Sequence, residues 1–162
     1  MLNFSINTYL KIIFFISLIS ILSALFIEHV LGHQPCNLCL MQRIPYGLSI
    51  ILIFSNYFLK KDQKFVVMLL ALIFSFSFII SFYHFGIEQG FFEESMVCRL
   101  KNTIEVISKE ELLKQLQVKT VSCKDVTFRI FGFSLTTFNI AISLILVILL
   151  IKIFKNYEKF KN

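Results

Sequence analysis

A chain of 162 residues is a single domain by length. Hydrophobic residues make up 57% of it and charged residues only 16%, with 20 phenylalanines gathered in long apolar runs, which excludes a water-soluble globule and calls for lipid as the solvent. The formal charge of +6 does not point to nucleic acid, because the basic residues form no stripe on one face and several flank apolar segments.

Four stretches lack Asp, Glu, Lys and Arg: Ile12 to Ile27, Ile44 to Leu59, Phe65 to Ile87, and Ile130 to Ile151. A helix needs about 20 apolar residues to cross the hydrocarbon core. The first two therefore borrow flanking residues such as Val30, Leu31, Leu40 and Met41, which puts the expected spans near 12–31, 42–59, 65–87 and 130–151. Backbone groups in lipid must pair internally, so each span is a helix. The expected fold is an all-α membrane protein, a four-transmembrane-helix bundle forming one domain over 1–162. The first span is expected to be retained, because it is longer than a signal-peptide core and no small-residue cleavage site follows it.

Four spans put both termini on one side. The termini and the short loop Lys60-Lys61-Asp62-Gln63-Lys64 hold eight Lys and Arg residues, and the other two connections also hold eight, so the count alone does not orient the chain. The first set lies close to span ends, Lys152, Lys155, Lys159 and Lys161 included. Seven of the second set are spread along a long loop with seven acids. Long loops cross the membrane largely regardless of charge. Both termini are thus expected in the cytoplasm, and residues 28–43 and about 88–129 outside. All four cysteines fall in those two outer connections, where disulfides persist. Within the long extracytoplasmic loop, Ser108-Lys109-Glu110-Glu111 matches a helix capping box, and Leu112, Leu113 and Leu116 follow at helical spacing. A short amphipathic helix is expected there, lying on the membrane or packed on its own loop.

The chemistry sits in the cysteines. Cys36 and Cys39 form a C-x-x-C pair just before the second span, where a helix N-terminus and Arg43, four residues on, favour a thiolate. Pro45 suits the first turn of that helix. A zinc half-site is the bland alternative, with His33 as a third donor. The second C-x-x-C or the H-x-x-H that zinc modules carry is absent, and no metal is expected. Haem attachment requires a His where Leu40 stands. A structural disulfide is a further alternative, although so short a loop gains little from closure. Cys98 and Cys123 lie far apart in the long loop. A bond between them would stabilise by about 3 kcal/mol through chain entropy, or it would serve as a shuttle disulfide open to thiol exchange. Glu28, His29 and His84 stand at outer span ends. Glu28 and His29 read as interfacial side chains with polar tips in the headgroups, and His84 as a hydrogen-bond donor to a quinone carbonyl or as another such tip.

The stretch from Glu28 to Tyr46, with its Pro35-Cys36-Asn37-Leu38-Cys39 and Arg43, resembles the signature of the disulfide bond formation protein B (DsbB) family. The four spans, the short basic loop, the second cysteine pair and Phe131-Gly132-Phe133 entering the last span follow the family order. The resemblance implies a quinone-dependent thiol–disulfide oxidoreductase of the bacterial inner membrane. It implies a periplasmic, thioredoxin-fold DsbA-like protein as partner and ubiquinone or menaquinone as cofactor. It also implies two redox disulfides, Cys36–Cys39 and Cys98–Cys123. Cys98 would be the sulfur attacked by the partner, Cys123 would attack Cys36, Cys39 would face the quinone, and Arg43 and His84 would lie beside it. Two alternatives stay open: a relative of vitamin K epoxide reductase, whose C-x-x-C falls late rather than after the first span, and a non-enzymatic membrane scaffold with structural disulfides.

Overall fold

A computed structural model describes residues 5–59, 62–93, 98, 122–124, 129–130 and 132–157. Four helices carry the fold: α1 (Ile6–His29), α2 (Asn37–Leu59), α3 (Gln63–Glu88) and α4 (Leu135–Lys155). Each is long and apolar enough to cross a membrane. At 1.5 Å per residue, α4, the shortest at 21 residues, still covers the roughly 30 Å hydrocarbon core. The protein is therefore a four-span, all-α membrane protein, as its charge-free runs predict.

The helix ends depart from the expected spans, and caps explain where. Helix α2 starts at Asn37, upstream of the charge-free run, because Cys36 starts it: its carbonyl accepts from the Leu40 N–H at 3.1 Å and its sulfur from the Cys39 N–H at 3.3 Å. That moves Pro45 from the expected first turn into the helix interior, where it is fully buried. Helix α3 is capped by Asp62, whose carboxylate accepts from the Lys64 N–H at 3.1 Å. The expected fourth span from residue 130 begins instead at Leu135. Arg129–Ile130 (β1) pairs antiparallel with Phe133–Ser134 (β2), turning through Gly132 at φ +85°, and Ser134 then caps α4 by accepting from the Thr137 N–H. Val30 ends α1, and Gly32 at φ +72° redirects the chain toward Cys36. The expected amphipathic helix at 108–116, Phe131, and Lys60, Lys61, Lys159 and Lys161 lie outside the described residues.

Helix α3 packs most extensively on α4, and α2 packs on both α1 and α3. The two ends of the bundle differ. One end is an apolar core of Ile6, Leu10, Ile13, Ile53, Val66, Val67, Leu70, Phe74, Leu146, Leu150 and Ile153. There Lys64 stands over the Phe154 and Tyr157 rings, and Gln63 donates to Asn7 at 2.8 Å. In the middle, Ser17, Ser49, Ser77, Ser81 and Ser143 are each completely buried. Small residues let helices approach closely in lipid, where no hydrophobic force drives them together, and their hydroxyls bond across the interfaces. Ser49 donates to Ser17 at 2.8 Å, joining α2 to α1, and Ser77 pairs with Ser143 at 3.1 Å, joining α3 to α4. Large apolar side chains such as Phe15, Leu22, Ile51, Phe76, Ile79 and Ile145 face outward, as lipid contact requires.

Candidate functional site

The polar residues of three spans recur at helical spacing and converge on the other end of the bundle. On α3, Ser77, Ser81, His84 and Glu88 follow one another at i, i+4, i+7 and i+11. On α4, Thr136, Asn139 and Ser143 share a face, and on α2 so do Cys39, Gln42, Tyr46 and Ser49. Asn139 donates to Ser81 at 2.6 Å and accepts from the Tyr46 hydroxyl. At the top of this ladder sit the cysteines.

Cys36 is buried and Cys39 half-buried, and their sulfurs lie side by side 2.7 Å apart, as a Cys36/Cys39 redox couple requires. Cys98 and Cys123 are bonded, with their Cα atoms 5.8 Å apart across a sequence separation of 25. The two couples share one packed cluster: Cys36, Leu38, Ile87 and Cys123 form its buried part, and Cys39, Cys98 and Tyr83 pack against it. Within the bonded pair, Cys123 is 2% exposed and Cys98 is the more open residue.

Cys36 stands at the positive end of α2. The Cys39 thiol beside it is the largest influence lowering its pKa. Burial opposes this, and His84, with Nε2 3.6 Å from the sulfur, adds to it, so the Cys36 thiol falls from 9.0 to about 5. His84 is 1% exposed and held from its other side: Nδ1 lies 3.1 Å from Gln42 Nε2 and 3.2 Å from Thr136 Oγ1. Thr136 donates to Glu88 Oε1 at 2.5 Å, and that same oxygen is 3.7 Å from His84 Nε2. Glu88 Oε2 is buried with no hydrogen-bond partner among the described residues.

Arg43 is paired with Glu28 at 2.5 Å across α1 and α2. Glu28 is thus not the headgroup-directed side chain expected from sequence, because the bundle turns it toward the guanidinium. His29 is exposed at the end of α1, where its Nδ1 meets the Leu25 carbonyl at 3.1 Å. A cavity of about 330 Å³ opens beside the thiols. Ile19, Ala24, Ile27, Leu135, Phe138 and Ile142 give it apolar walls, and Cys39, Gln42, Arg43, His84 and Glu88 sit along its polar side.

The structure thus gathers Cys36, Cys39, Arg43, His84, Cys98 and Cys123 at one end of the bundle. Sequence reasoning missed Glu88, Thr136, Gln42, Asn139 and Tyr46. Their signal was present as the one-faced polar stripes within otherwise apolar spans.

Four membrane-spanning helices that hold two cysteine couples in contact at one membrane end define a class, that of membrane proteins built for disulfide chemistry. The model of the family described as disulfide bond formation protein DsbB matches residues 7–153, and the chain belongs to that family of membrane disulfide bond formation proteins. An uncharacterised protein of Rickettsia prowazekii is 27% identical over 137 residues, covering 83% of this chain and 80% of that one. A Bacillus subtilis protein described as an SPbeta prophage-derived disulfide bond formation protein B is 34% identical over 98 residues, 59% of this chain and 62% of its own.

Proposed function

We propose that the protein takes electrons from the thiols of a periplasmic, thioredoxin-fold DsbA-like oxidase and delivers them to a membrane quinone. In this reading it sits in a bacterial inner membrane, with both termini cytoplasmic and all four cysteines on the periplasmic side. The observation that carries the proposal is the single packed cluster that brings both cysteine couples, Cys98–Cys123 and Cys36/Cys39, together at the edge of the cavity.

The exchange balances as follows. A partner thiolate attacks Cys98, the more open residue, forming a mixed disulfide and releasing Cys123 as a thiolate. Cys123 attacks Cys36 of the Cys36–Cys39 bond and releases Cys39. The partner's second thiol then displaces Cys98, which attacks Cys123 and frees Cys36. The partner is left oxidised, Cys98–Cys123 is restored, and Cys36 and Cys39 carry two electrons and two protons. The α2 N-terminus and His84 make Cys36 a stable leaving thiolate.

The residues around the cavity fit a quinone. Its walls are apolar enough for a flat ring and tail, while Arg43 and His84 offer N–H groups to ring oxygens beside Cys39. When bound, a quinone supplies an acceptor for two electrons and two protons. A DsbA-like donor already lies near about −120 mV, so the acceptor must be a stronger oxidant than the donor. Glu28 fixes the Arg43 guanidinium at the cavity edge, and Gln42 and Thr136 fix the imidazole plane.

Trapping tests the relay. With Cys123→Ala, a reduced thioredoxin-fold partner accumulates as a mixed disulfide on non-reducing gels, and with Cys98→Ala none forms. The opposite pattern inverts the order of attack. Quinone reduction that persists in Cys39→Ser removes Cys39 from its assigned place.

A further inference from the structure

Three soft or borderline donors stand together once the couple is reduced. Cys36 Sγ, Cys39 Sγ and His84 Nε2 lie within 4.8 Å of one another. Zinc takes sulfur at about 2.3 Å and imidazole nitrogen at about 2.0–2.1 Å, so a tetrahedral site has sulfur–nitrogen edges of about 3.6 Å and sulfur–sulfur edges of about 3.8 Å. The Cys36–His84 separation of 3.6 Å already has that length. The two sulfurs, now 2.7 Å apart, must part by about 1 Å, and Cys39, which lies within 4.8 Å of His84 Nε2 and lines the cavity, must settle about 3.6 Å from that nitrogen as it turns.

The surroundings of His84 match what a metal-bound imidazole needs. With Nε2 on a cation, Nδ1 must carry the proton and find an acceptor. Thr136 Oγ1 is 3.2 Å away and donates its own hydrogen to Glu88 Oε1, a His–Thr–carboxylate chain of the kind that orients metal-bound histidines, and the Gln42 amide, whose nitrogen now lies 3.1 Å from Nδ1, would turn its oxygen toward that proton. An independent observation points to a cation in the same place. The Glu88 side chain is 6% exposed, its Oε2 has no partner, and among the described residues no Lys or Arg pairs with it, Arg43 being held by Glu28. Charge also favours the ion. A divalent cation offsets the two thiolates and faces the Glu88 carboxylate, so the buried cluster carries far less uncompensated charge with the ion than without it.

We propose that Cys36, Cys39 and His84 of the reduced protein form a binding site for a borderline divalent cation of the zinc type, and that the bound ion blocks re-formation of the Cys36–Cys39 bond. The ion takes both sulfurs as thiolates, displacing whatever thiol protons remain, and changes no oxidation state. The fourth position faces the cavity, so the ion is exchangeable and acts as an inhibitor. This site differs from the zinc half-site weighed on sequence, in which His33 was the third donor. His33 lines the cavity but lies outside the donor cluster. The inference needs neither partner nor quinone, so it stands or falls separately from the proposed electron path.

The test uses the full chain, purified, reduced and anaerobic, with Co2+ as a spectroscopic probe. One equivalent is expected to bind with thiolate-to-cobalt charge-transfer absorption and intense tetrahedral bands, which Zn2+ then bleaches. The same protein with Cys36–Cys39 oxidised binds none, a comparison that needs no substitution. Thr136→Val weakens binding about 10- to 100-fold by removing the imidazole's acceptor. With free Zn2+ at about ten times its Kd, oxidation of the couple by a small disulfide slows about elevenfold by mass action. Cobalt uptake without charge-transfer bands, equal uptake by the oxidised form, or an oxidation rate indifferent to zinc would each overturn the proposal.

Discussion

Lowering the pH of the reduced protein titrates Cys36 and so probes the reactive couple directly. The Cys39 thiol and then His84, working against burial, bring the Cys36 pKa from 9.0 down to about 5. At pH 7 Cys36 is therefore about 99% thiolate, where an ordinary cysteine of pKa 9.0 is about 1%, a difference of about 100-fold in the nucleophilic form. The assay is the ultraviolet absorbance of the thiolate, or the rate of alkylation, in quinone-free protein whose Cys98–Cys123 bond is kept intact. A transition centred near 5 is expected, with a flat signal between about pH 6 and pH 8. Cys39→Ala removes the largest lowering influence and moves the midpoint furthest upward. His84→Phe moves it up by less. A depressed pKa adds stability that is complete above 9.0, declines as pH falls, and is gone below about 5. The reduced protein thus loses stability relative to its oxidised form as pH falls through that window. A wild-type transition centred above about pH 8, or a His84→Phe midpoint below that of the wild type, would refute the account of the thiolate.

Three further outcomes follow from the same structure. Ser143→Leu inserts a large side chain where Ser77 and Ser143 meet at 3.1 Å, and is expected to cost about 1–3 kcal/mol, read as a lower midpoint of thermal unfolding in detergent. Glu28→Gln removes the charge of a partly exposed ion pair, worth about 1 kcal/mol, and keeps a hydrogen-bonding amide in its place, so the unfolding midpoint moves little while the KM for quinone rises as Arg43 loses its anchor. Thr136→Val leaves the Glu88 carboxylate without its hydroxyl donor and costs about 1–3 kcal/mol, whereas Thr136→Ser restores most of the stability.

The sequence and the structure agree best where one residue property decides the outcome. Freedom from charge over a span's length is such a property, and it placed all four helices. Their ends depend on single capping contacts instead. The Cys36 sulfur accepting from the Cys39 N–H starts α2 early, and Ser134, after the Gly132 turn, starts α4 late. Cys36, Cys39 and Arg43 were legible because their spacing within one segment already implies proximity, and Cys98 and Cys123 because they share one outer connection. Glu28 and Glu88 were not, because their partners lie on other helices: Arg43 is 15 residues from Glu28, and Thr136 is 48 from Glu88. A carboxylate at a span end has the same sequence appearance whether it faces headgroups or a neighbouring helix. The stripe of Ser77, Ser81, His84 and Glu88 was the available clue, since polar residues scattered toward lipid would not keep to one face.

The measurement closest to the central claim follows both couples by mass spectrometry, after differential alkylation, during anaerobic turnover with a reduced thioredoxin-fold donor and a defined quinone. Without quinone, electrons should arrive and stop, leaving Cys36 and Cys39 as thiols beneath a bonded Cys98–Cys123. Each quinone then added should re-form one Cys36–Cys39 bond. A Cys36/Cys39 pair whose oxidation state never changes while donor and quinone turn over would contradict the account.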